Sequence, residues 1–346
     1  MADIKLNIKD LSLDELRAAC AELGEPAYRA GQIWRWLYSK GAESFDDITN
    51  LSKDLRQKLD VKFVLSGLEL IDLQRSRDGT EKYLLRLSDG NDVESVLIPA
   101  SRRLTQCIST QVGCKFACLF CASGKAGFIR DLTPGEIVDQ VLFTTFRMNR
   151  KPSNIVLMGI GEPLDNYDNV EKAIRTMNSS EGLNIGARKV TISTCGIIPG
   201  IKRLEGIGLQ IELSVSLHAV DDDLRTRLMP INKKYPVREL IDACRGYAQN
   251  TNRQVTFEYL MIEGLNDSLD QAEELAKLLQ GFLSKVNLIT MNTVSGSGLA
   301  GSDVEHVERF CSLLNQRSIP ATIRKPRGTD ILAACGQLRL SSAENQ

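Results

Sequence analysis

The chain has 346 residues, 42% hydrophobic and 25% charged, with a net charge of −1, the balance of an ordinary globular protein of about two domains or one large α/β barrel with an appendage. No run approaches the ~20 apolar residues of a membrane helix, and nine cysteines are too sparse, and odd in number, for a disulfide scaffold. Near-neutral charge excludes a molecule that attracts nucleic acid over its whole surface.

Residues 1 to about 62 read as a helical unit. Ser12 and Glu15 form a capping-box signature for a first helix. Pro26 with Gly24 and Gly31 breaks the pattern, and Ile33, Trp34, Leu37 and Tyr38 resume it at helical spacing. Both tryptophans, Trp34 and Trp36, lie here, where core packing is favoured over base stacking. Residues 63–103 alternate and are β-branched, with Asp78-Gly79 and Asp89-Gly90 as hairpin turns. They predict a short antiparallel extension.

From 104 to 326 strands and helices alternate. Strands are expected near Gln106–Val112, Asn154–Met158, Lys189–Ser193, Ile211–Leu217, Val255–Met261 and Val286–Met291, with a further one near Ala321–Arg324. Helices are expected over Thr133–Arg147, Val170–Met177, Val237–Ala248, Ser268–Leu279 and Val304–Asn315. Six β-α repeats imply a parallel sheet, open or partly closed as a barrel, whose ligands sit beyond the carboxyl ends of the strands. Residues 327–346 form a C-terminal segment. The start, Met1 to Lys5, has no apolar signal core, so a reducing, cytoplasmic setting is expected.

Directly after the first of these strands comes Cys114-Lys115-Phe116-Ala117-Cys118-Leu119-Phe120-Cys121, with Gly113, Gly124 and Gly127 around it. Three thiolates at C-x3-C-x2-C spacing can hold three corners of a cubic iron–sulfur cluster and leave one iron open for a small ligand. A zinc site would want a fourth ligand, and neither histidine, His218 or His306, lies in a suitable knuckle. The other strand ends add polar groups: Gly159-Ile160-Gly161-Glu162-Pro163, Ser193-Thr194-Cys195-Gly196, Ser216-Leu217-His218 and Met291-Asn292. The glycines are expected to let backbone approach a ligand. Each group is weak alone; together they make a polar ring around the cysteine turn. Cys335, in Ala333-Ala334-Cys335-Gly336-Gln337-Leu338, and Cys107 on the first strand read in isolation as small buried residues. Cys20, Cys195, Cys244 and Cys311 read as structural, with Cys195 nearest the site. Basic clusters occur at Arg75/Arg77, Arg102/Arg103, Lys233/Lys234 and Arg324/Lys325/Arg327. The last carries most weight because it precedes Cys335, and it leaves an RNA substrate open.

The C-x3-C-x-F-C turn on a βα repeat resembles the radical S-adenosylmethionine (SAM) superfamily, and the 159–163 loop resembles its motif for the SAM amino group. More narrowly, Gln111-Val112-Gly113-Cys114, Met158 to Leu164, Ser216-Leu217-His218-Ala219, the segment around Cys335, and Pro26 to Ile33 resemble the RlmN/Cfr family of RNA adenine methyltransferases. The likeness covers nearly the whole chain. It departs at Ile160, where methionine is expected, a conservative change.

That resemblance implies a partial (β/α)6 barrel with a helical RNA-binding domain at the N-terminus. It implies a 4Fe-4S cluster on Cys114, Cys118 and Cys121, and two SAM molecules per turnover. SAM contacts fall on Gly161, Glu162, Ser193, Ser216, Leu217, His218 and Asn292. One SAM methylates Cys335; a second, cleaved reductively, yields a radical that takes hydrogen from that methyl. The carbon radical adds to an adenine carbon too electron-poor for ordinary methyl transfer. Glu94 removes the ring proton, although by itself it would read as a solvated strand carboxylate. Cys107 then releases the RNA by forming a disulfide with Cys335. The implied substrate is C2 of an adenosine in the peptidyl transferase centre of 23S rRNA, and also the adenosine beside the tRNA anticodon, with flavodoxin as reductant. Methylation at C8 of the same rRNA adenosine, which confers antibiotic resistance, shares every motif. Two other readings stay open: an iron–sulfur or zinc-stabilised RNA-binding module, and a radical enzyme acting on a small molecule.

Overall fold

The computed structural model describes residues 5–125, 127–291, 298–334 and 336–338; Asn292 and Cys335 therefore lie outside the described residues. Among the described residues, ten strands form one sheet whose spatial order follows the chain. Glu69–Arg75, Glu81–Arg86, Asp92–Ala100 and Arg103–Cys107 are antiparallel neighbours. From Arg103–Cys107 the sheet continues in parallel through Asn154–Leu157, Val190–Thr194, Glu212–Ser216, Val255–Met261, Ser284–Thr290 and Ala321–Arg324. Helices cross between these strands, so six βα units lead to a final seventh parallel strand. The sheet curls until Arg324 on its last strand meets the sulfur of Met158 at 3.8 Å. This is the partly closed form of the two the repeats allow, and the partial barrel the resemblance implies. The predicted antiparallel extension is the edge of the same sheet rather than a separate layer, because Asp92–Ala100 pairs directly with Arg103–Cys107.

Local chemistry sets the helix starts. The predicted Ser12/Glu15 capping box is present, and Thr133 with Glu136 and Ser268 with Gln271 make two more; each such cap contributes about 1 kcal/mol. Helix Pro134–Leu142 passes into a wider π-turn over Phe143–Arg147, so the predicted single helix changes pitch. Gly31 lies inside helix Tyr28–Ser39, and the break falls at 24–27 instead. One glycine in a helix costs about 1 kcal/mol, less than the burial of Ile33, Trp34 and Leu37 recovers. Helices Ile198–Glu205 and Asp222–Leu228 were not expected; both are short.

The N-terminal helices dock on the outer helices of the barrel. Lys9 makes a buried ion pair with Asp139. The Gly135 N–H donates to Asp10 (2.9 Å), and Lys172 reaches Glu15 (2.9 Å). Trp34 is buried and donates to Ser179 (3.2 Å), which agrees with its core assignment. Trp36 is half-buried under Lys40, 3.8 Å from its ring centroid.

The described part of the C-terminal segment links the antiparallel edge of the sheet to the cysteine loop. Leaving strand Ala321–Arg324, it crosses to the 76–80 turn. There the Gly328 N–H donates to Asp78 (3.1 Å), and Asp330 accepts from the Ser76 hydroxyl (2.6 Å) and the Arg77 N–H (3.2 Å). It then reaches the cysteine loop. The Ala122 N–H donates to the Gly336 carbonyl (2.8 Å), and the Ser123 hydroxyl donates to the Leu338 carbonyl (2.7 Å).

Candidate active site

The first barrel strand ends at Cys107, not near Val112 as predicted. Residues 111–113 turn away and pair with Phe128–Asp131 in a small hairpin of their own, and the cysteine turn is part of its long loop. The alternation that suggested one long strand is real, but its two halves pair with different partners. The hairpin still carries the cysteines to the carboxyl edge of the barrel. Cys114, Cys118 and Cys121 line a cavity together with Phe116, Phe120 and Gly336.

Residues from the strand ends complete the wall: Gly159, Gly161 and Glu162, then Ser193, Thr194 and Cys195, then Ser216 and His218. The two glycines have a packing job beside the one expected. A side chain at Gly159 would strike the Ile108 backbone (2.7 Å), and one at Gly161, which has φ +107°, would strike Gln111 (2.6 Å). They let the loop press against segment 108–111, so their first role is to seat the hairpin that holds the cysteines.

Glu162 is buried. Its carboxylate accepts from the backbone N–H groups of Cys195 (2.7 Å) and Leu164 (3.0 Å), and its own N–H donates to Gln111 (2.8 Å). Burial raises its carboxyl above the usual carboxylate range, and those backbone bonds oppose the rise. It thus ties two strand ends together while bordering the cavity.

His218 is buried at φ +60°, a strained backbone for a non-glycine residue. Its Nδ1 accepts the Leu260 N–H (3.0 Å), and Phe120 meets its ring edge-on at 4.7 Å. Burial, with Arg225 nearby, lowers its pKa to about 3. The ring is therefore neutral in the folded protein, while an unfolded histidine takes up a proton below about pH 6.5. Its contribution to stability is complete above that pH and is lost as pH falls from about 6.5 toward 3, at up to about 1.4 kcal/mol per pH unit. His218→Asn tolerates the left-handed backbone and should flatten the fall in denaturation midpoint between pH 7 and 5. An unchanged slope would show that other groups set the acid sensitivity.

Leu217 differs from its expected neighbours. Its side chain is in the core, and its carbonyl accepts from Arg225 (3.1 Å). Sequence reading overlooked Arg225. This wholly buried guanidinium also donates to the carbonyls of Cys195 (2.8 Å) and Ser216 (3.1 Å), locking adjacent strand ends. Cys195 is a cavity residue whose thiol is pushed well up by burial and by Glu162. Cys20 and Cys244 are buried in the core. Arg324 is no solvated basic residue: it borders the cavity, whereas Lys325 and Arg327 are exposed.

The three cysteines of the turn, Cys114, Cys118 and Cys121, are half-buried. Burial, then Cys121, Glu162 and Asp165, push the Cys114 thiol up to about 11 against a bond from the Phe116 backbone; burial and its two sister thiols push Cys118 well up. Thiolates crowded here repel one another unless a cationic centre ligates them. Among the described residues no three His, Cys, Asp or Glu side chains close round one metal-ion position. The thiols instead ring the cavity mouth, a donor set of soft sulfur that suits an iron–sulfur cube.

Cys107 is buried at the end of its strand, in register with Val96 and Val156. Glu94 is buried, not solvated. Its carboxylate pairs with Lys82 (3.1 Å), whose ammonium also reaches the Leu332 carbonyl (3.5 Å) in the C-terminal segment. Asn292 and Cys335 fall outside the described residues, but Gly336 borders the cavity. The hairpin thus gathers Cys114, Cys118 and Cys121 with Gly161, Glu162, Ser193, Ser216 and His218, while Glu94 meets the strap through Lys82.

Residues 108–279 match the radical SAM superfamily. Residues 6–65 match the ribosomal RNA large subunit methyltransferase N-terminal domain. A probable dual-specificity RNA methyltransferase RlmN from Lachnospira eligens is 46% identical, aligned over 96% of this chain and 95% of that protein. A dual-specificity RNA methyltransferase RlmN from Chelativorans sp. is 45% identical over 96% of this chain and 88% of that protein. The crystal structure of a radical SAM methyltransferase from Sphaerobacter thermophilus superposes with a TM-score of 0.91 at 46% identity, covering 96% of this chain and 99% of that one. With the cysteine hairpin, the partial barrel and both domain matches in agreement, the chain belongs to the RlmN family of radical SAM RNA methyltransferases.

Proposed function

We propose that this protein methylates C2 of an adenosine in the peptidyl transferase centre of 23S rRNA, and of the adenosine beside the tRNA anticodon, through a methylated Cys335 and a covalent RNA intermediate. The observation that carries the reading is the seating of the C-terminal strap. Gly336 borders the same cavity as the three cluster cysteines, and its carbonyl accepts from Ala122, next to Cys121. Cys335 directly precedes Gly336 in the chain, which supports its reading as the thiol that serves this cavity.

Cys114, Cys118 and Cys121 would hold the 4Fe-4S cluster; Gly161, Glu162, Ser193, Ser216, His218 and Asn292, with the backbone of Leu217, would hold SAM. Together the cluster and SAM supply a radical able to take hydrogen from a methyl group. Two SAM molecules are used per product, one as methyl donor and one as radical source. Cys335 accepts the methyl on its sulfur and carries it to the base. Glu94 would take the ring proton from the adduct, whose unpaired electron would return to the cluster that supplied one for SAM cleavage. The Cys107 thiolate would then attack the Cys335 sulfur, the sulfur–carbon electron pair would leave with the carbon, and that carbon would take up a proton to become the methyl group, so that the methylated RNA leaves as the two sulfurs close into a disulfide. That disulfide must be reduced before the next turnover. The helical unit at 1–62 would grip the RNA, the 63–103 strands would carry Glu94, the barrel over 104–326 would hold the cofactors, and 327–346 would deliver Cys335. A flavodoxin-type reductant and a cytoplasmic setting complete the proposal. Among the described residues no helix is long and apolar enough to cross a membrane.

Anaerobic incubation of the reconstituted protein with SAM, reductant and an rRNA fragment, followed by nucleoside mass spectrometry, tests the reading. 2-Methyladenosine is expected. 8-Methyladenosine would move the chain to the resistance activity, and no methylated adenosine despite SAM cleavage would reject the RNA substrate.

A further inference from the structure

Deep in the cavity, strand Val255–Met261 is buried at every position, yet it carries a glutamate. Glu258 is 5% exposed. Its Oε1 is satisfied twice, by the Ser214 hydroxyl (2.8 Å) and the Asn287 amide (3.2 Å). Its Oε2 is buried and, among the described residues, has no hydrogen-bond partner. The Arg324 guanidinium lies 3.9 Å from it, too far for a hydrogen bond but near enough to offset the charge. A buried carboxylate oxygen without a donor is costly, and it is kept where a ligand supplies one. Glu258 is in register with Ser216, and the wall beside it is apolar, with Met158, Leu260 and Ile289. One acceptor set in an apolar slot suits a nucleoside, whose faces are apolar and whose edges donate.

We propose that Glu258 Oε2 accepts a hydrogen bond from a neutral donor, a ribose hydroxyl or the exocyclic amine, of the adenosine moiety of SAM. This deepens the function proposed above and rests on it for the identity of the ligand. The target adenosine of the RNA carries the same donors, and the test separates the two sources.

Glu258→Gln is nearly isosteric. Ser214 and Asn287 both donate to Oε1, so the amide oxygen must stay there, and the new NH2 lands at the Oε2 position. A donor then faces the ligand's donor. Equilibrium dialysis of labelled SAM against the anaerobically reconstituted protein should show Kd raised by about 10- to 100-fold, the range for hydrogen bonds to charged groups. Iron content, thermal midpoint and filter-binding affinity for the rRNA fragment should be unchanged. Unchanged SAM affinity would overturn the proposal, and so would weaker RNA binding with SAM affinity intact, which would assign Glu258 to the target base. If the variant does not fold, the wild-type protein decides through competition by S-adenosylhomocysteine and its 2′-deoxy, 3′-deoxy and N6,N6-dimethyl analogues. One analogue should lose a similar factor, and equal binding by all would overturn the assignment. Wild-type protein that binds SAM but methylates no RNA would reject the function while leaving this test readable; wild-type protein that holds iron and binds no SAM would reject both.

Discussion

Cys335→Ala is expected to abolish methylated adenosine, a fall on the order of 10³-fold or more, as for loss of a residue that forms the covalent intermediate. Iron content and reductive cleavage of SAM should survive. The reasoning is local. Position 335 follows Ala333 and Ala334 in a small-residue segment, so alanine adds no volume. The bonds that seat the strap come from its neighbours: Ala122 N–H to the Gly336 carbonyl, Ser123 to the Leu338 carbonyl, and Gly328 to Asp78. None needs the thiol. The three cluster cysteines lie on a separate hairpin held by Gln111–Gly113 and Phe128–Asp131. The variant should therefore form 5′-deoxyadenosine without product, read by chromatography of the same reaction. Product at wild-type yield would remove the methyl-carrier role.

Cys107→Ala should stall the enzyme one step later. Without a second thiol to break the sulfur–carbon bond, labelled RNA should remain attached to the protein through denaturing electrophoresis, with turnover near zero. The substitution is mild for the fold. Cys107 holds its place through backbone register with Val96 and Val156, which alanine retains, and the lost sulfur costs about 1 kcal/mol of packing. The double variant with Cys335→Ala should show no adduct, because nothing is left to carry the RNA. Free methylated RNA at the wild-type rate from Cys107→Ala would assign resolution to another group.

Much of the fold was legible because its signals are local. The Ser12/Glu15 capping box, the two Asp-Gly hairpin turns and the alternation of β-branched strands with amphipathic helices each depend on residues a few positions apart. Two of the helices that were not expected carry weak signals: Ile198–Glu205 opens on Ile-Pro-Gly, and Asp222–Leu228 has seven residues, mostly charged. An N-cap signal did exist for the second, since the Asp221 side chain accepts from Leu224. The cysteine strand was misjudged for another reason. Period-2 alternation reports that a segment is extended, not which strand it pairs with.

The site divides along the same line. C-x3-C-x2-C is a short covalent spacing that keeps three thiols on one turn wherever the chain goes, so a cluster site could be expected before any fold was known. Glu258 left a trace too, a charge inside Val-Thr-Phe-Glu-Tyr-Leu-Met, a run that otherwise reads as buried strand. Its free acceptor left none, because that depends on Ser214 and Asn287 occupying one oxygen from neighbouring strands. Arg225 reads as an exposed helix residue until the strand ends close around it. The glycines of 159–161 read as a ligand loop, and only the fold shows that Ile108 and Gln111 also need their clearance. The sequence by itself determined the donor atoms, the βα order and the helix caps, since these rest on residue chemistry and short spacing. Only the tertiary structure decided that the hairpin carries its cysteines to the barrel cavity, that the strap brings Gly336 to it, and which buried oxygens lack a partner among the described residues. Those are distances between segments as many as 254 positions apart, such as Ser76 and Asp330, and they are set by packing the whole chain rather than by any part of it.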